Sequence, residues 1–419
     1  MTTTDQPAEQ TAVATDLQDE RLRRSSGLRG TVDAQVRRIK DGDLGVLPVV
    51  AGLVVIWGVL QALNPIFLSS ANLVNLTLEC ASVGIIALGV VFMLLVGQID
   101  LSVGSVSGLS SAIVAILFVD KGLPVVVAIV AAVLAGAVVG FAYSLMFNRF
   151  GVPSFVITLA GLLGFLGLQL YLLGAQGSIN LPFDSGLVKF AQLWFVPPWL
   201  SYVLVVLAAG GLLVTGLAHS RKRAAAGLSH RGLTDLGVRS AVLLLLLGFV
   251  VFYLNQTRGV GWMFVLFVGL VLVMHYLLSR TKWGRSVYAV GGNVEAARRA
   301  GINVRLVYTS CFMLCTSFAA LGGVLAAARL AAANQSSGGG DVNLNAIAAA
   351  VIGGTSLFGG RGTAFAALLG VLVIQSISSG LTLLSLDSSF RFMVTGAVLM
   401  LAVALDSAAR RTRASSGRA

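Results

Sequence analysis

Apolar runs separated by short polar links repeat along almost the whole chain, at 44–63, 73–96, 101–119, 123–147, 152–173, 200–217, 238–254, 260–278, 306–330, 342–358, 364–384 and 392–405. A helix needs roughly 20 apolar residues to cross the hydrocarbon core of a bilayer, so each run predicts a transmembrane helix. The tenth run, 342–358, is short and rich in glycine, which leaves two readings open, a full crossing or a broken or re-entrant element. One polar link stands apart. Residues 279–305 include GGNVEAARRAGINV, whose pattern is that of a soluble helix. Asn293 is placed to cap its start, Glu295 falls in the first turn, Arg298 and Arg299 in the last, and Gly301 offers a left-handed stop. Two turns are too few to stand alone, because isolated helices below roughly 12–15 residues are marginal. The helix must pack on something. Ala296, Ala297 and Ala300 give it a small face and the arginines give it charge-assisted contacts; a partner's groove and the chain's own membrane domain both suit these features.

Composition agrees with the pattern. With 57% hydrophobic and 11% charged residues in 419, and a mean hydropathy of +0.90, the chain lacks the polar surface of a soluble globule. The fold class expected is an all-α polytopic membrane protein of about 12 transmembrane helices, with broken glycine-rich elements. The 49 glycines suit close helix approach and intramembrane breaks. Residues 1–43 are polar and mixed in charge, so they read as a disordered tail; 44–405 form the transmembrane domain, and 406–419 a basic tail. The net charge of +12 does not indicate nucleic acid, since the basic residues lie in links and tails with no aromatic-interleaved face. Topology accounts for it. With a cytoplasmic N-terminus, the inner links carry thirteen Lys and Arg, whereas the outer ones carry Lys121, Lys189, Arg258 and Arg391. The positive-inside rule then places both termini in the cytoplasm. Cys80, Cys311 and Cys315 all lie in apolar runs, which offers no disulfide framework and no metal spacing.

The candidate chemistry is sparse. Lys40, Lys121, Lys189, Lys222 and Lys282 are each followed by something other than Ser or Thr, so the chain has no P-loop for ATP. His219, His230 and His275 are scattered and form no metal-hydrolase motif. Ionisable groups in mid-membrane cost about 2.5–3.5 kcal/mol each and mark function or pairing; Asp100 and Glu79 are the candidates. Asp100 stands in VGQIDLSVGS, between Gly97 and Gly104 and beside Gln98 and Ser102. That composition suits a helix break satisfied by side chains and water. It equally suits an N-cap accepting from the amides of Ser102 or Val103. Glu79, near the outer end of its run, reaches interfacial water. GQIDLSVG and GGTSLFGG share the form G-x-x-[DS]-L-x-x-G, which is either coincidence or a duplicated helix-break-helix unit. The two stretches make Gln98, Asp100, Ser102, Gly104, Gly353, Gly354, Gly359 and Gly360 the candidates for a pathway through the membrane.

TKWGRSVYAVGGNVEAARRAGINV resembles the EAA-type coupling loop of ATP-binding-cassette importer permeases, in the branch that serves monosaccharides. Gly284, Arg285, Ala289, Gly291, Asn293, Ala296, Ala297, Gly301 and Ile302 fit that family's form. GQIDLSVGS is similar to its GGIDLSVGS signature, and LNAIAAAVIGGTSLFGGRGT to its third, glycine-rich one. Gln98 departs by replacing a glycine. A further segment at 200–256 adds two spans to the ten of ribose-type permeases, as in xylose-type ones, which favours a pentose such as xylose. The resemblance implies a permease that is not itself an enzyme and binds no cofactor, with ATP and Mg held by a separate ATPase subunit. It also implies an extracytoplasmic sugar-binding protein, a second permease copy forming a homodimer, and a place among the lipids of a bacterial cytoplasmic membrane. The ATPase-coupling residues would be Gly284, Arg285, Gly291, Asn293, Glu295, Ala296, Ala297, Arg298, Gly301 and Ile302. The alternative is an ion-coupled secondary sugar transporter, which needs titrating groups near mid-membrane and has only Asp100 and Glu79 to use.

Overall fold

The computed structural model describes residues 47–404 except 229, 231, 388, 391, 399 and 401–403. The tails expected at 1–43 and 406–419 lie outside the described residues. The chain forms α1 (Leu47–Leu63), α2 (Ser70–Leu95), α3 (Val103–Ala115, continued by a π-helical turn, Ile116–Asp120), α4 (Val125–Phe150) and α5 (Ser154–Leu173). A short strand, β1 (Ser178–Asn180), and the two-turn α6 (Gly186–Gln192) follow. Next come α7 (Pro198–Ala225), α8 (Leu233–Leu254), α9 (Trp262–Arg280), α10 (Lys282–Gly292), α11 (Val294–Arg299), α12 (Val304–Leu330), β2 (Ala332–Asn334), α13 (Gly340–Ile352) and α14 (Phe365–Leu383). Among the described residues nine of these helices are long and apolar enough to cross a membrane, and the chain is an all-α polytopic membrane protein. Of the expected twelfth span, residues 392–398 are helical, while 399, 401–403 and 405 lie outside the described residues.

The chain divides into two compact units. One includes residues 197–253 and the other the described residues of 47–196 and from 254 onward. In the larger unit the packing follows small residues. Ala128, Ala132, Gly136 and Gly140 of α4 recur every fourth position and are buried, whereas Val126, Val130, Leu134 and Val138 on the opposite side are exposed. The small face lets the α12 backbone come close: a Cβ on Gly140 would stand 2.5 Å from Phe312 O. This is the small-residue contact by which membrane helices associate when burial from water cannot drive them together. On its other flanks α12 meets α2 and α3 in the same way, through Gly322 against Ser82 and Gly323 against Ser107. The 26-residue α2 is apolar all round and largely buried, as a helix at the centre of a bundle must be.

Three features were not expected. β1 pairs antiparallel with β2, Ile179 opposite Ala333, although three-residue strands leave no alternation to read. α6 is a further short helix, with Ser185 Oγ accepting from Val188 N at its start. α10 precedes the expected polar helix as a second amphipathic one. The tenth expected span is only half-length: α13 has 13 residues, a rise of about 20 Å against a core of about 30 Å. It stops at Gly353, and Gly354, Gly359, Gly360 and Gly362 then take positive φ values that no continuing helix contains.

In the smaller unit α7 and α8 are tied by Ser240 Oγ donating to Ala209 O at 2.6 Å and by the Leu236 side chain seated on Gly216. α7 runs past the expected end at 217 because HSRKRAAA contains no breaker. It stops only where Gly227 turns left-handed.

Candidate functional site

The polar link begins where Thr281 ends α9. Its Oγ1 donates to Leu277 O at 2.6 Å and accepts from Gly284 N at 3.1 Å, so one hydroxyl closes α9 and caps α10. Gly284 is required at this corner, since a Cβ would fall 2.1 Å from Leu278 O. α10 buries Val287 and Val290 and is fastened by two aromatic side chains. Trp283 Nε1 donates to Ser310 Oγ at 2.8 Å and its ring rests 5.8 Å from Phe92. Tyr288 Oη donates to Gly362 O at 2.8 Å, and burial pushes the Tyr288 phenol up from its ordinary value, which keeps it a donor. Arg285 is exposed.

Asn293 then ends α10 and caps α11, its Oδ1 accepting from Ala296 N at 2.9 Å. Glu295 pairs with Arg298 at 3.1 Å and with Arg299 at 3.5 Å. The arginines thus answer a carboxylate of their own helix, and exposed pairs of this kind are worth about 0–1 kcal/mol. Gly301, at φ +79°, stops the helix, and Ile302 N returns to Ala297 O at 3.1 Å. The three alanines do not form one free face. Ala297 is buried in the chain's own core, whereas Ala296 and Ala300 are exposed with Glu295, Arg298 and Arg299. α11 therefore leans on this chain through Ala297 and half-buried Val294 and Ile302, and turns a charged face outward.

The three glycine-bearing stretches read separately from the sequence meet at one point. Gly360 N donates to Leu95 O at 2.9 Å. A Cβ on Gly291 would lie 1.8 Å from Leu95 O and 2.6 Å from Gly360 N, and one on Gly359 would lie 2.6 Å from Gly291 O. Backbone thus touches backbone across the end of α2, the end of α10 and the loop after α13. Only glycine permits that. Gly97, at φ +70°, lies against Phe358 and Gly359 and closes the end of α2. Gln98 is half-buried there. Of the other pathway candidates, Gly353 packs on the Ala366 backbone of α14 and Gly354 is exposed.

From this junction the chain climbs through the α2–α3 break. Asp100 is fully buried. Its Oδ1 accepts from Ser102 N at 2.8 Å and Ser102 Oγ at 2.7 Å, while Oδ2 has no N–H or O–H partner, only the weak Cys315 thiol beside the carboxyl. The carboxylate therefore fastens the residue that opens α3, and Ser102, not Asp100, holds the N-cap position. Tyr143 Oη donates to Ser102 Oγ at 2.9 Å. Leu101 N donates to Thr158 Oγ1 at 3.1 Å and Leu101 O accepts from Asn343 Nδ2. Side chains from α5 and α13 thus satisfy the backbone that the break frees, while α4 holds the Ser102 side chain. Gly104 meets Gly338 O and Asn343. Tyr143→Phe removes one hydrogen bond from the buried Ser102 hydroxyl, a loss of about 1 kcal/mol. Transport is expected to fall two- to fivefold with unchanged insertion, as measured by uptake per inserted molecule.

Above the break lies a cavity of about 210 Å³, lined by Ser82 at the midpoint of α2, Ser107 and Ser111 of α3, Leu330 of α12, and Asn334, Ser336, Ser337 and Gly338 ahead of α13. None of the eight pathway candidates lines it. Its hydroxyls are already engaged as donors: Ser107 Oγ to Gly104 O at 2.6 Å, Ser111 Oγ to Gly323 O at 2.8 Å, and Ser336 Oγ to Asn334 Oδ1 at 2.9 Å. They offer lone pairs to whatever enters. Gln169, fully buried on α5, holds the loop by donating to Asn334 O at 3.0 Å and Ser337 O at 2.9 Å. Glu79 does not line the cavity; it lies within electrostatic range of Arg329 on α12. Tyr143, Thr158, Gln169 and Asn343 were not foreseen as site residues. Their signal was available, because a lone amide or phenol within an apolar run costs free energy unless it has a partner.

A bundle of crossing helices, cut by two glycine breaks that meet an amphipathic loop, is the membrane component of a transport system. The chain belongs to the family described as branched-chain amino acid transport system / permease component, which matches residues 72–403. The xylose transport system permease protein XylH of Escherichia coli (strain K12) is 33% identical over 345 residues, covering 82% of this chain and 87% of that protein. The ribose import permease protein RbsC of Bacillus subtilis (strain 168) is 32% identical over 366 residues, 87% of this chain and 94% of that protein. No solved structure matches.

Proposed function

We propose that the chain is the membrane-spanning permease subunit of an ATP-driven importer for a neutral monosaccharide, a pentose such as xylose. In this reading it sits in a bacterial cytoplasmic membrane with both termini inside. A second copy completes the pathway, an extracytoplasmic binding protein delivers the sugar, and a separate ATPase subunit holds ATP and Mg.

The observation that carries the reading is the attachment of α11. Its outward face of Glu295, Arg298 and Arg299 is a handle for a partner, and one residue before its cap Gly292 follows Gly291, which touches Leu95 and Gly360 directly. α10, clamped by Trp283 and Tyr288, is the lever between handle and break. A push on α11 passes through packed backbone to the residues that set the start of α3. Coupling of this kind needs a contiguous element that two sites bias, and the glycine junction supplies it.

The cavity supports the sugar. None of its lining residues is ionisable, so an amino acid would leave both its ammonium and its carboxylate without a counter-charge, a costly arrangement away from water. A sugar offers neutral hydroxyl donors to the serine and asparagine acceptors, and C–H faces to Val83, Ile86 and Leu330. The xylose and ribose named for the relatives belong to this class.

Glu295→Arg tests the handle. It removes an exposed carboxylate whose pairs contribute little to stability, so the chain is expected to insert normally. Pull-down of the proposed partner ATPase should drop at least tenfold, and uptake with it. Undiminished pull-down and uptake would overturn the role given to α11.

A further inference from the structure

A second concavity, away from the junction and the serine-lined cavity, lies where the last turn of α4 meets the first turns of α12. Asn148 Nδ2 joins them, donating to Arg305 O at 3.3 Å and Thr309 Oγ1 at 3.2 Å. Around this seam is a cavity of about 440 Å³ lined by Phe141, Ser144, Leu145, Asn148, Arg149, Arg305 and Thr309. Two guanidinium groups, from residues 156 positions apart in the chain, therefore border one hollow. Both arginines are exposed, and neither is ion-paired to a described residue. This distinguishes them from Arg298 and Arg299 close by in sequence, which share Glu295.

The surroundings decide what the pair would hold. Phe141, Leu145 and Arg149 recur at every fourth position of α4 and so form one stripe. Phe141 and Leu145 are exposed, which makes the stripe apolar along the helix and cationic at its end. A soluble anion would use the arginines and leave the stripe idle. An amphiphile with a negative head uses both parts: phosphate oxygens on the two guanidiniums, with Asn148 and Thr309 beside them, and an acyl chain along Leu145 and Phe141. Arginine suits a phosphodiester because its planar fork presents paired donors to two oxygens. Basic pockets between helices at the cytoplasmic level of a membrane provide this kind of headgroup site.

We infer that the α4–α12 seam is a binding site for an anionic phospholipid, its phosphodiester held by Arg149 and Arg305 and one acyl chain laid along Phe141 and Leu145. The lipid bridges the end of α4 to the start of α12, the helix that α11 leads into. Occupancy therefore clamps α12 to α4, the helix that carries Tyr143. The site does not depend on which solute is carried.

The test is thermal unfolding of the purified, delipidated chain in detergent with dioctanoyl phosphatidylglycerol, dioctanoyl phosphatidylcholine or inorganic phosphate added. Phosphatidylglycerol is expected to raise Tm, with phosphatidylcholine and phosphate giving no comparable rise. The Arg149→Gln/Arg305→Gln double variant should need about tenfold or more phosphatidylglycerol for the same shift, and each single variant an intermediate amount. Lys121→Gln, an exposed cation elsewhere, should respond as the unaltered chain does. Equal protection by phosphatidylcholine would reduce the effect to acyl contact, equal protection by phosphate would make the ligand a soluble anion, and an unchanged response of the arginine variants would place the lipid elsewhere. Any of the three overturns the inference. If the double variant does not fold, the two single variants, each altering one exposed side chain, decide the matter by the same comparison.

Discussion

Gly291→Ala is expected to abolish uptake, and Gly292→Ala, one residue on, to leave it within about twofold. The contrast is extreme for neighbouring glycines in one helix end, and it follows from what a methyl group would meet. At Gly291 it would stand 1.8 Å from Leu95 O and 2.6 Å from Gly360 N, with no flexible side chain to give way; at Gly292 it would meet nothing within 4 Å. Overpacking costs about 1–3 kcal/mol where side chains can adjust. Here backbone must part from backbone, so α10 would have to leave the end of α2. Both variants carry the same loss of glycine flexibility, which makes Gly292→Ala the control for a generic effect. The measurement is uptake of labelled xylose per inserted chain, in cells that also express the ATPase. Loss of uptake with retained ATPase pull-down is the result specific to the junction, because the handle on α11 would still be presented.

Asp100 supplies the second large effect, and two substitutions there separate a latch from a charge. Asp100→Ala removes the acceptor of both Ser102 donors. Each buried donor left unpaired costs about 1–3 kcal/mol, and the start of α3 loses its fastening. Uptake is expected to fall more than tenfold. Asp100→Asn keeps an oxygen in the Oδ1 position and can re-form both bonds, so uptake is expected to stay within about threefold. Should the Asn variant be as inactive as the Ala variant, the negative charge itself would be in use, as an ion-coupled carrier requires. Uptake per inserted molecule reads both.

The sequence is most legible where a property is local. The apolar runs, the cap at Asn293 and the stop at Gly301 depend on a few adjacent residues, and each has the structure those residues dictate. The half-length of α13 was foreshadowed by its glycines. Convergence was not legible: Gly97, Gly291 and Gly360 are far apart in the chain, and a glycine that needs close approach has the same letter as one that merely sits in a loop. Gly291 and Gly292 are the clearest case. Nor could periodicity say that Ala297 faces inward while Ala296 faces out, since a six-residue helix has too few positions to define a face. The serine-lined cavity was hidden for a related reason. Ser82, Ser107 and Ser337 come from three elements, and each alone reads as a small residue at a helix contact. The strands β1 and β2 were hidden because their pairing spans the whole middle of the chain.

The most direct test of the central claim, that this permease carries a neutral sugar on the energy of an ATPase docked at α11, is labelled-xylose accumulation in proteoliposomes. The vesicles would hold the chain with its ATPase and binding protein, supplied in turn with ATP or with an imposed sodium or proton gradient. Expected is accumulation with ATP and none with either gradient when ATP is absent. Accumulation on an ion gradient by the chain alone, without ATPase or ATP, would contradict it.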